Sequence, residues 1–569
     1  MGSNGGGSGA SEAYIESSEP LLGKSGQQEE DISSQNYGPI GYNHGSRYIQ
    51  DIPFLIVFVI LVLLTFAFGI FSIASHNNNY GSVGSYVYDR NSTTCTKKSS
   101  LATRDRVLGL GFEQGFRTAW DVGYQRVAYY PSLVMVGSTR HLLRDTVWTL
   151  VITLILSIPI ISGLLWLLRT YTKQIVYACL PFFVLLPIFI NVFWFVACTV
   201  SKDCREAINL ALRIFILIFI FLLIGIIVWI IVANWNRIEL TIRILRTGSE
   251  GLASNVRLLV VLPSLTIALF VFFVPIIVFL SYSRLNGKIV PNPKVVESGY
   301  ACGGTTGVEC CLWKGDRWVP AYFALAIITM IWSATTMMEA HVYIISGTVA
   351  QWYFHKSGSA PSRSITSSAR NAFGPSFGTV CFSGLIFGVV RIVRAAIDSA
   401  RRGQEGIVFV ILRCCVRFVL FAVEFVNKFT INFAAITGES YCSSARMSYE
   451  LLRRNLLSAA VVEAISTRIL YGILFVVTVV YAIVVCAILK AATSLGGDAY
   501  FVTVLAWVLL FLILLFFVHI LDDVVDTVYI CYAMDKDRRD LTRPEIHDVY
   551  SRLPVSRDDT SFPYSNAEV

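Results

Sequence analysis

The stretch from residue 332 to residue 354, WSATTMMEAHVYIISGTVAQWYF, is apolar enough to lie in a membrane, yet it contains a glutamate, Glu339. A charged side chain near the centre of a spanning helix costs roughly 2.5 to 3.5 kcal/mol, so it normally faces the interior of a helix bundle or a water-filled cavity. At 3.6 residues per turn, the side chains that share a helix face with Glu339 are Trp332, Thr336, Tyr343 and Ser346. The stretch therefore predicts a spanning helix with one polar and aromatic face.

The composition of the whole chain indicates a polytopic membrane protein. Its 569 residues are 55% hydrophobic and 15% charged, which is unusually apolar for a soluble protein. A hydrocarbon core of about 30 Å needs roughly 20 apolar residues per helical span. We predict an all-α fold with about ten transmembrane helices and no large soluble domain. The spans are expected near residues 53–74, 146–168, 175–199, 208–233, 257–281, 320–346, 376–397, 406–434, 469–490 and 500–526.

Two tails flank the predicted membrane domain, which covers residues 51–540. Residues 1–50 are rich in Gly and Ser, and we expect a disordered cytosolic tail there. Residues 541–569 are expected to form a cytosolic C-terminal tail. The first span follows a long polar stretch, so we interpret it as an internal anchor and not as a cleaved signal peptide.

The predicted orientation depends on one glycosylation sequon. Asn91, in the triplet Asn-Ser-Thr, lies between the first two spans and predicts a glycosylated external or luminal loop. Ten spans then leave both termini in the cytosol, and most Arg and Lys of the loops fall inside. Arg401 and Arg402 are exceptions, because the ten-span layout places them outside. Either they line an external basic vestibule, or residues 376–434 form a hairpin that does not cross the membrane fully.

The expected location is the plasma membrane, with an endosomal or vacuolar membrane as the alternative. The alternative depends on Glu16 followed by the pair Leu21-Leu22, which resembles an acidic dileucine sorting signal.

Three of the 13 cysteines, Cys302, Cys310 and Cys311, lie in the predicted external loop of residues 284–319. We expect a disulfide between Cys302 and either Cys310 or Cys311, because an oxidising compartment permits one. A metal site is the less favoured interpretation, since no His lies nearby. We predict no metal and no cofactor.

Several function classes are excluded by the motifs. The chain has no Gly-rich phosphate loop, no His-Glu-x-x-His and no Gly-x-Ser-x-Gly, so we predict that it is not an enzyme. The net charge of +8 is spread over many loops, which argues against a nucleic-acid partner. The expected partners are the lipid bilayer and a small molecule.

The functional interpretation of Glu339 is a site for an organic cation. A quaternary ammonium group has no N–H, so aromatic faces and a carboxylate must recognise it, each cation–π contact contributing about 0.5 to 2 kcal/mol. Trp332 and Tyr343 are about 16 Å apart along the helix, so other helices must contribute. The candidates include Asn191 and Trp194 in the third span and Trp229 in the fourth. The alternative is structural: Glu339 pairs with a basic residue or reaches water near the inner face.

Two further stretches place charges in predicted spans. Glu424 precedes Lys428 by four residues, which favours an ion pair within one helix, although Glu424 is also a candidate for substrate binding. Asp522, Asp526 and Tyr529 share a helix face near the inner surface. They are interpreted either as a solvated helix end or as a cation gate.

In four stretches the chain resembles the choline transporter-like family. These are Trp332 followed by Gly347 and the triplet Trp352-Tyr353-Phe354, SFGTVCFSGL at 376–385, FVNKFTINFAAITGESYCSSAR at 425–446, and VVDTVYICYAMDKD at 524–537. With the ten-span layout, the resemblance covers roughly residues 50 to 540. It marks Gly347, Trp352 and Asp526 as motif or gating residues.

The resemblance implies an electrogenic or exchange-type carrier of choline or of a related cation such as ethanolamine. This chain departs from the family pattern, which usually has Asn seven residues after the Trp and His three residues later. Here those positions hold Glu339 and Val342, with His341 one position earlier. The short first external loop, with Cys95 as its one cysteine, indicates a separate branch.

Two function classes remain as alternatives to transport. One is a membrane scaffold or trafficking factor, and the other is a protein that handles choline or ethanolamine lipid headgroups. Gly384 and Gly388 form a small-xxx-small pair, which lets another helix approach closely. The pair is compatible with a homodimer, but nothing else in the sequence supports one.

Overall fold

The computed structural model describes most of the predicted membrane domain. The described residues are 42–43, 47–89, 94–97, 138–200, 204, 209–233, 235–292, 311–355, 363–399, 407–492 and 497–551. Asn91, Cys302 and Cys310 lie outside them, as do residues 1–41 and 552–569 of the two tails. The domain boundaries at residues 51 and 540 stay a prediction.

Helices make up most of the described residues. They are α1 (Ile52–Ala74), α2 (Ser138–Val200), α3 (Leu210–Ala233), α4 (Trp235–Ser254), α5 (Leu258–Ser283), α6 (Val319–Tyr353), α7 (Ser364–Ala372), α8 (Phe377–Ser399), α9 (Ile407–Thr437), α10 (Tyr441–Ala492), α11 (Asp498–Arg538) and α12 (Pro544–Tyr550). Within the described residues, nine helical stretches are long and apolar enough to cross a bilayer. Helix α2 supplies two of them, which meet at the non-helical residue Tyr171. The prediction of an all-α polytopic membrane protein is confirmed.

The eighth predicted span coincides with α9, which is not among these nine stretches. Helix α9 has 31 residues, enough to cross a bilayer by length. It carries four charged side chains, and all four form ion pairs with neighbouring helices. The charged residues are Arg413, Arg417, Glu424 and Lys428.

Helix α6 lies in the middle of the structure, in contact with α1, α5, α8, α9 and α11. The approach of α8 is especially close because of one glycine. A Cβ built on Gly384 would lie 2.7 Å from both the Cα and the N of Thr336 in α6. Gly388 also faces α6, because a Cβ built on it would lie 3.4 Å from the hydroxyl of Thr335. The small-xxx-small pair therefore packs within this chain.

Two short antiparallel sheets of two strands each lie near the ends of α1, α5 and α6. Strands β1 (Tyr86–Asp89) and β2 (Thr94–Lys97) pair antiparallel, and so do β3 (Gly287–Pro291) and β4 (Cys311–Gly315). A 3₁₀-helix, Asn78–Ser85, precedes β1. The side chain of Asn77 donates to the backbone carbonyl of Gly287, 3.1 Å away, which joins the two loops.

Two disulfides are present among the described residues, which confirms the general prediction of disulfide bonds but corrects one predicted pairing. Cys311 in β4 bonds to Cys95 in β2, 216 residues earlier, so the predicted alternative of a bond from Cys302 to Cys311 is wrong. The other alternative, Cys302 to Cys310, lies outside the described residues. The strands bring these two cysteines within 6.2 Å between their Cα atoms, and this tertiary contact outweighs closeness in sequence. Cys198 and Cys204 form the second disulfide.

Replacing Gly384 by Ala should destabilise the protein, because the new methyl group would meet the backbone of α6. Overpacking of this kind costs about 1 to 3 kcal/mol in free energy of unfolding. Gly225→Ala in α3 is the matched control, since a Cβ there meets nothing within 4 Å. Thermal melts of both purified variants in one detergent make the comparison. Equal melting temperatures would contradict the close contact between α8 and α6.

Candidate functional site

The carboxylate of Glu339 is buried and held by two neutral side chains. Ser383 in α8 donates to its Oε2 at 2.7 Å, and Asn427 in α9 donates to its Oε1 at 3.2 Å. Only 5% of the Glu339 surface is exposed. Among the residues that the structure describes, no Lys, Arg or His nitrogen lies within 4.0 Å of either carboxylate oxygen. The two structural alternatives, a basic partner and direct contact with water, therefore find no support here.

Asn427 connects Glu339 to the start of α10. Its Oδ1 accepts from the phenol of Tyr441 at 2.6 Å and lies 3.1 Å from the hydroxyl of Ser383. Burial raises the pKa of the Tyr441 phenol, so this group stays protonated and donates. Because Tyr441 occupies the amide oxygen, the amide nitrogen of Asn427 is directed at the carboxylate. The donors around Glu339 are all neutral.

A second buried cluster lies next to the first along α9. The Nζ of Lys428 forms ion pairs with three aspartates of α11, closest to Asp526 and at 3.5 Å from Asp522 and 3.8 Å from Asp523. The aspartates are 2 to 6% exposed. Among the described residues, the ammonium group of Lys428 thus lies close to three carboxylates.

Two expectations about these charges are wrong. Glu424 pairs with Arg394 of α8 at 2.5 Å and not with Lys428, because α8 lies along that side of α9. Asp522 and Asp526 do not form a solvated helix end, because α11 is buried at this depth. The interpretation of Asp526 as a gating residue stays a prediction.

Tyr343, one helical turn after Glu339, is fully buried beneath an arginine of this chain. Its hydroxyl donates to Ser376 at 2.8 Å and accepts from the guanidinium of Arg47. The guanidinium carbon lies 5.9 Å from the centroid of the Tyr343 ring. The ring predicted to bind a cation therefore already contacts one.

The other predicted binding residues lie elsewhere. Trp332 is buried and donates to the carbonyl of Cys381 in α8 at 3.0 Å, so it packs α6 against α8. Asn191 donates to the carbonyl of Leu217 in α3 at 3.3 Å. Trp194 is half-buried on the same helix, α2. The contacts of the described residues bring neither Asn191 nor Trp194 to Glu339.

The two motif residues at the end of α6 have packing roles. Gly347 faces α7, where a Cβ would come within 2.8 Å of the hydroxyl of Ser368. Trp352 lies under Arg543, whose guanidinium carbon is 4.1 Å from the ring centroid. Arg543 also donates to the carbonyls of Trp352 and Tyr353, at 2.7 and 3.1 Å. These contacts close the end of α6 against the segment that precedes α12.

A groove of about 210 Å³ lies away from Glu339, beside α2, α3 and α4. It is almost wholly apolar and contains none of the predicted binding residues. Its lining residues are Tyr177, Leu180, Pro181, Val184, Val228, Ile231, Val232 and Trp235. The Glu339 site is by contrast closed around its carboxylate in this conformation.

Sequence reasoning missed Ser383, Asn427, Tyr441 and Arg47 as neighbours of the site. Ser383 and Asn427 do lie within the family-like stretches, and each is a polar residue in a predicted span. Their polarity was therefore a usable signal. Arg47 gave no signal, because it precedes the first span and contacts Tyr343 only through the tertiary fold.

The fold and this site define a polytopic membrane protein with a buried, neutrally held carboxylate on its central helix. The family described as "Plasma-membrane choline transporter" matches residues 218–537, more than half of the chain, and the chain belongs to this family. The match includes Glu339, Ser383, Asn427 and Lys428.

Curated relatives with similar sequences carry choline transporter-like or CTL-like names. The chain is 25% identical over 268 residues to choline transporter-like protein 4 of Mus musculus, covering 44% of this chain and 37% of the relative. It is 24% identical over 348 residues to choline transporter-like protein 2 of Danio rerio, covering 54% and 49%. A CTL-like protein of Dictyostelium discoideum is 24% identical over 233 residues, covering 40% and 41%. The chain thus spans less than half the length of these relatives.

Neutralising Glu339 and neutralising Lys428 should affect stability differently. Lys428→Met removes the ammonium group that pairs with three buried aspartates, which should cost roughly 3 to 5 kcal/mol in free energy of unfolding. Glu339→Gln leaves no basic group unpaired, and a neutral amide is easier to bury than a carboxylate. The melting temperature of Glu339→Gln should therefore match or exceed that of the wild type.

Thermal melts of the two variants and the wild type in one detergent test this difference. A loss of stability in Glu339→Gln as large as that in Lys428→Met would show that Glu339 has a structural basic partner.

Proposed function

We propose that this protein transports choline, or a related small organic cation such as ethanolamine, with Glu339 as the charge that balances the bound cation. The observation that carries the proposal is a buried carboxylate held by Ser383 and Asn427, with no basic partner in the part of the chain that the structure describes. Isolated ionised groups are costly to bury. A transported cation supplies the missing charge.

The choline assignment depends on family membership and on the chemistry of the central face. Choline carries a quaternary ammonium group, which aromatic rings and carboxylates recognise without hydrogen bonds. Glu339 and Tyr343 offer one of each, one turn apart on α6. The three aspartates around Lys428 add negative charge beside this face, which favours entry of a cation.

Binding requires rearrangement of the closed site. The carboxylate of Glu339 must exchange at least part of its contact with Ser383 and Asn427 for contact with the cation. Because these two residues lie on different helices, the exchange couples cation binding to the packing of α8 and α9 against α6. Such coupling between ligand contacts and helix packing is what alternating access needs.

The positions of the disulfides support the proposed orientation. Cys95–Cys311 joins two loops that the ten-span layout places outside, and Cys198–Cys204 joins the last turn of α2 to the segment after it, at an end that the layout also places outside. Disulfides persist in oxidising compartments, so these loops fit an external or luminal face. We propose cytosolic termini and the plasma membrane, with an endosomal or vacuolar membrane as the alternative.

The remaining classes fit the site less well. A membrane scaffold has no need of an unpaired carboxylate in its interior. A protein that handles lipid headgroups needs a site open to lipid, whereas Glu339 is 5% exposed.

Choline uptake should follow the membrane potential. A monovalent cation gains about 2.3 kcal/mol per 100 mV on moving inward, enough for roughly 50-fold accumulation without a coupling ion. Wild-type proteoliposomes with an inside-negative K⁺ diffusion potential should take up labelled choline saturably without a Na⁺ gradient. Glu339→Gln should raise the half-saturating choline concentration about fivefold or more, because a charge-assisted contact is lost.

Glu239→Gln is the matched control, because Glu239 is 45% exposed on α4 and should not affect uptake. Uptake that requires a Na⁺ gradient and does not respond to the membrane potential would refute uniport, that is, transport without a coupling ion. No uptake by the wild type under any gradient would refute transport itself.

A further inference from the structure

The five residues before α1, residues 47–51, form a short segment that we call the strap. It is anchored to the ends of helices that surround Glu339. The amide of Gln50 donates to the carbonyl of Pro375 at 3.1 Å, just before α8. The carboxylate of Asp51 accepts from the hydroxyl of Thr379 at 2.7 Å and from the amide of Tyr441 at 2.8 Å. The strap therefore ties α8 and α10 to the start of α1.

Two local features show that the fold is built around the strap. A Cβ on Gly378 would lie 2.3 Å from the carbonyl oxygen of Gln50, so only glycine fits beneath it. Asp51 has a left-handed backbone with φ of 52°, which turns the chain from the strap into α1. Asp is among the residues that tolerate this conformation, because its short polar side chain can bond locally. The strap thus occupies a defined position, which we call its seat, between the start of α8 and the start of α1.

Arg47 connects the strap to the central helix α6 and to α9. Its guanidinium donates to the hydroxyl of Tyr343 and, at 2.7 Å, to the carbonyl of Ala435 near the end of α9. It stands over the Tyr343 ring at 5.9 Å, and Gly438 packs against its aliphatic stem. The guanidinium of Arg47 thus covers the ring of Tyr343, one helical turn from Glu339. This contact lies at the end of the site next to the strap.

A guanidinium and a quaternary ammonium compete for the same kind of surface. Both carry one positive charge and bind aromatic faces. The guanidinium also donates hydrogen bonds, here to Tyr343 and Ala435, which a trimethylammonium group cannot do. The ring of Tyr343 suits either cation, whereas its hydroxyl suits only the arginine.

We propose that Arg47 is a cation supplied by the chain itself, which closes the inner end of the transport path and must leave before choline passes between Glu339 and the cytosol. This role rests on the proposed function. Arg47 and choline then exclude each other at Tyr343, so saturating choline weakens the seat of the strap, as linkage requires. Release of Arg47 from Tyr343 is favoured only when a competing cation is present.

The test measures access to Ser376, which is 2% exposed and accepts from the Tyr343 hydroxyl behind Arg47. Every sample carries Ser376→Cys, and a membrane-impermeant thiol reagent is applied from the cytosolic side. Peptide mapping by mass spectrometry separates this thiol from the native cysteines. Arg47→Gln should raise the labelling rate at position 376 about fivefold or more. Saturating choline should raise it in the Arg47 protein and have little further effect in Arg47→Gln.

Arg370→Gln is the matched control. It removes the same charge from α7, where Arg370 is exposed and makes no side-chain hydrogen bond with described residues. Labelling and choline uptake in this variant should equal those of the protein without it. Arg47→Lys keeps the charge but loses the planar fork, so it should give an intermediate labelling rate.

Unchanged labelling in Arg47→Gln overturns the inner closure, even when the protein transports choline. A wild type that transports no choline refutes the proposed function separately. If the labelling rate rises in Arg47→Gln but choline does not change it in the protein that keeps Arg47, competition between Arg47 and substrate is overturned. If Arg47→Gln fails to fold by thermal melt, Arg47→Lys is decisive, and labelling equal to that of the Arg47 protein overturns the proposal.

Discussion

The contact of one buried carboxylate with two neutral donors organises the centre of this structure. Glu339 receives hydrogen bonds from Ser383 of α8 and Asn427 of α9, so three helices meet at a single negative charge. Ser383 reaches it because the next residue, Gly384, has no side chain to hold α8 away from α6. The hydrogen bonds lower the cost of burying the charge but do not neutralise it. The cation that we propose as substrate would do so.

Helix α9 links this site to a second charged layer. Consecutive helical residues point about 100° apart, so Asn427 faces Glu339 while Lys428 faces the aspartates of α11. At the ends of α6 and α9, two arginines use the same combination of contacts. Arg47 covers Tyr343 and bonds to the carbonyl of Ala435, and Arg543 covers Trp352 and bonds to its carbonyl. Segments outside the candidate spans thus hold the ends of helices that would move in the proposed transport cycle.

The sequence predicted the helical spans and the polar face of α6 because both follow from local spacing. Apolar runs mark spans, and the helical repeat places Glu339 and Tyr343 together. The partners of these residues depend on which helices meet, which no local pattern contains. The four-residue rule favoured Lys428 for Glu424, but α8 supplies Arg394 instead. The nearby cysteines favoured a bond from Cys302 to Cys310 or Cys311, but the tertiary fold brings Cys95 to Cys311 from 216 residues away.

The most direct test of the central claim is a double cycle that removes charge from the protein and from the ligand. Equilibrium binding is measured for choline and for its neutral carbon isostere, in which a tert-butyl group replaces the trimethylammonium group, on the wild type and on Glu339→Gln. If Glu339 balances the bound cation, the wild type prefers choline, and that preference falls about tenfold in Glu339→Gln. An equal preference for choline in both proteins would contradict the claim.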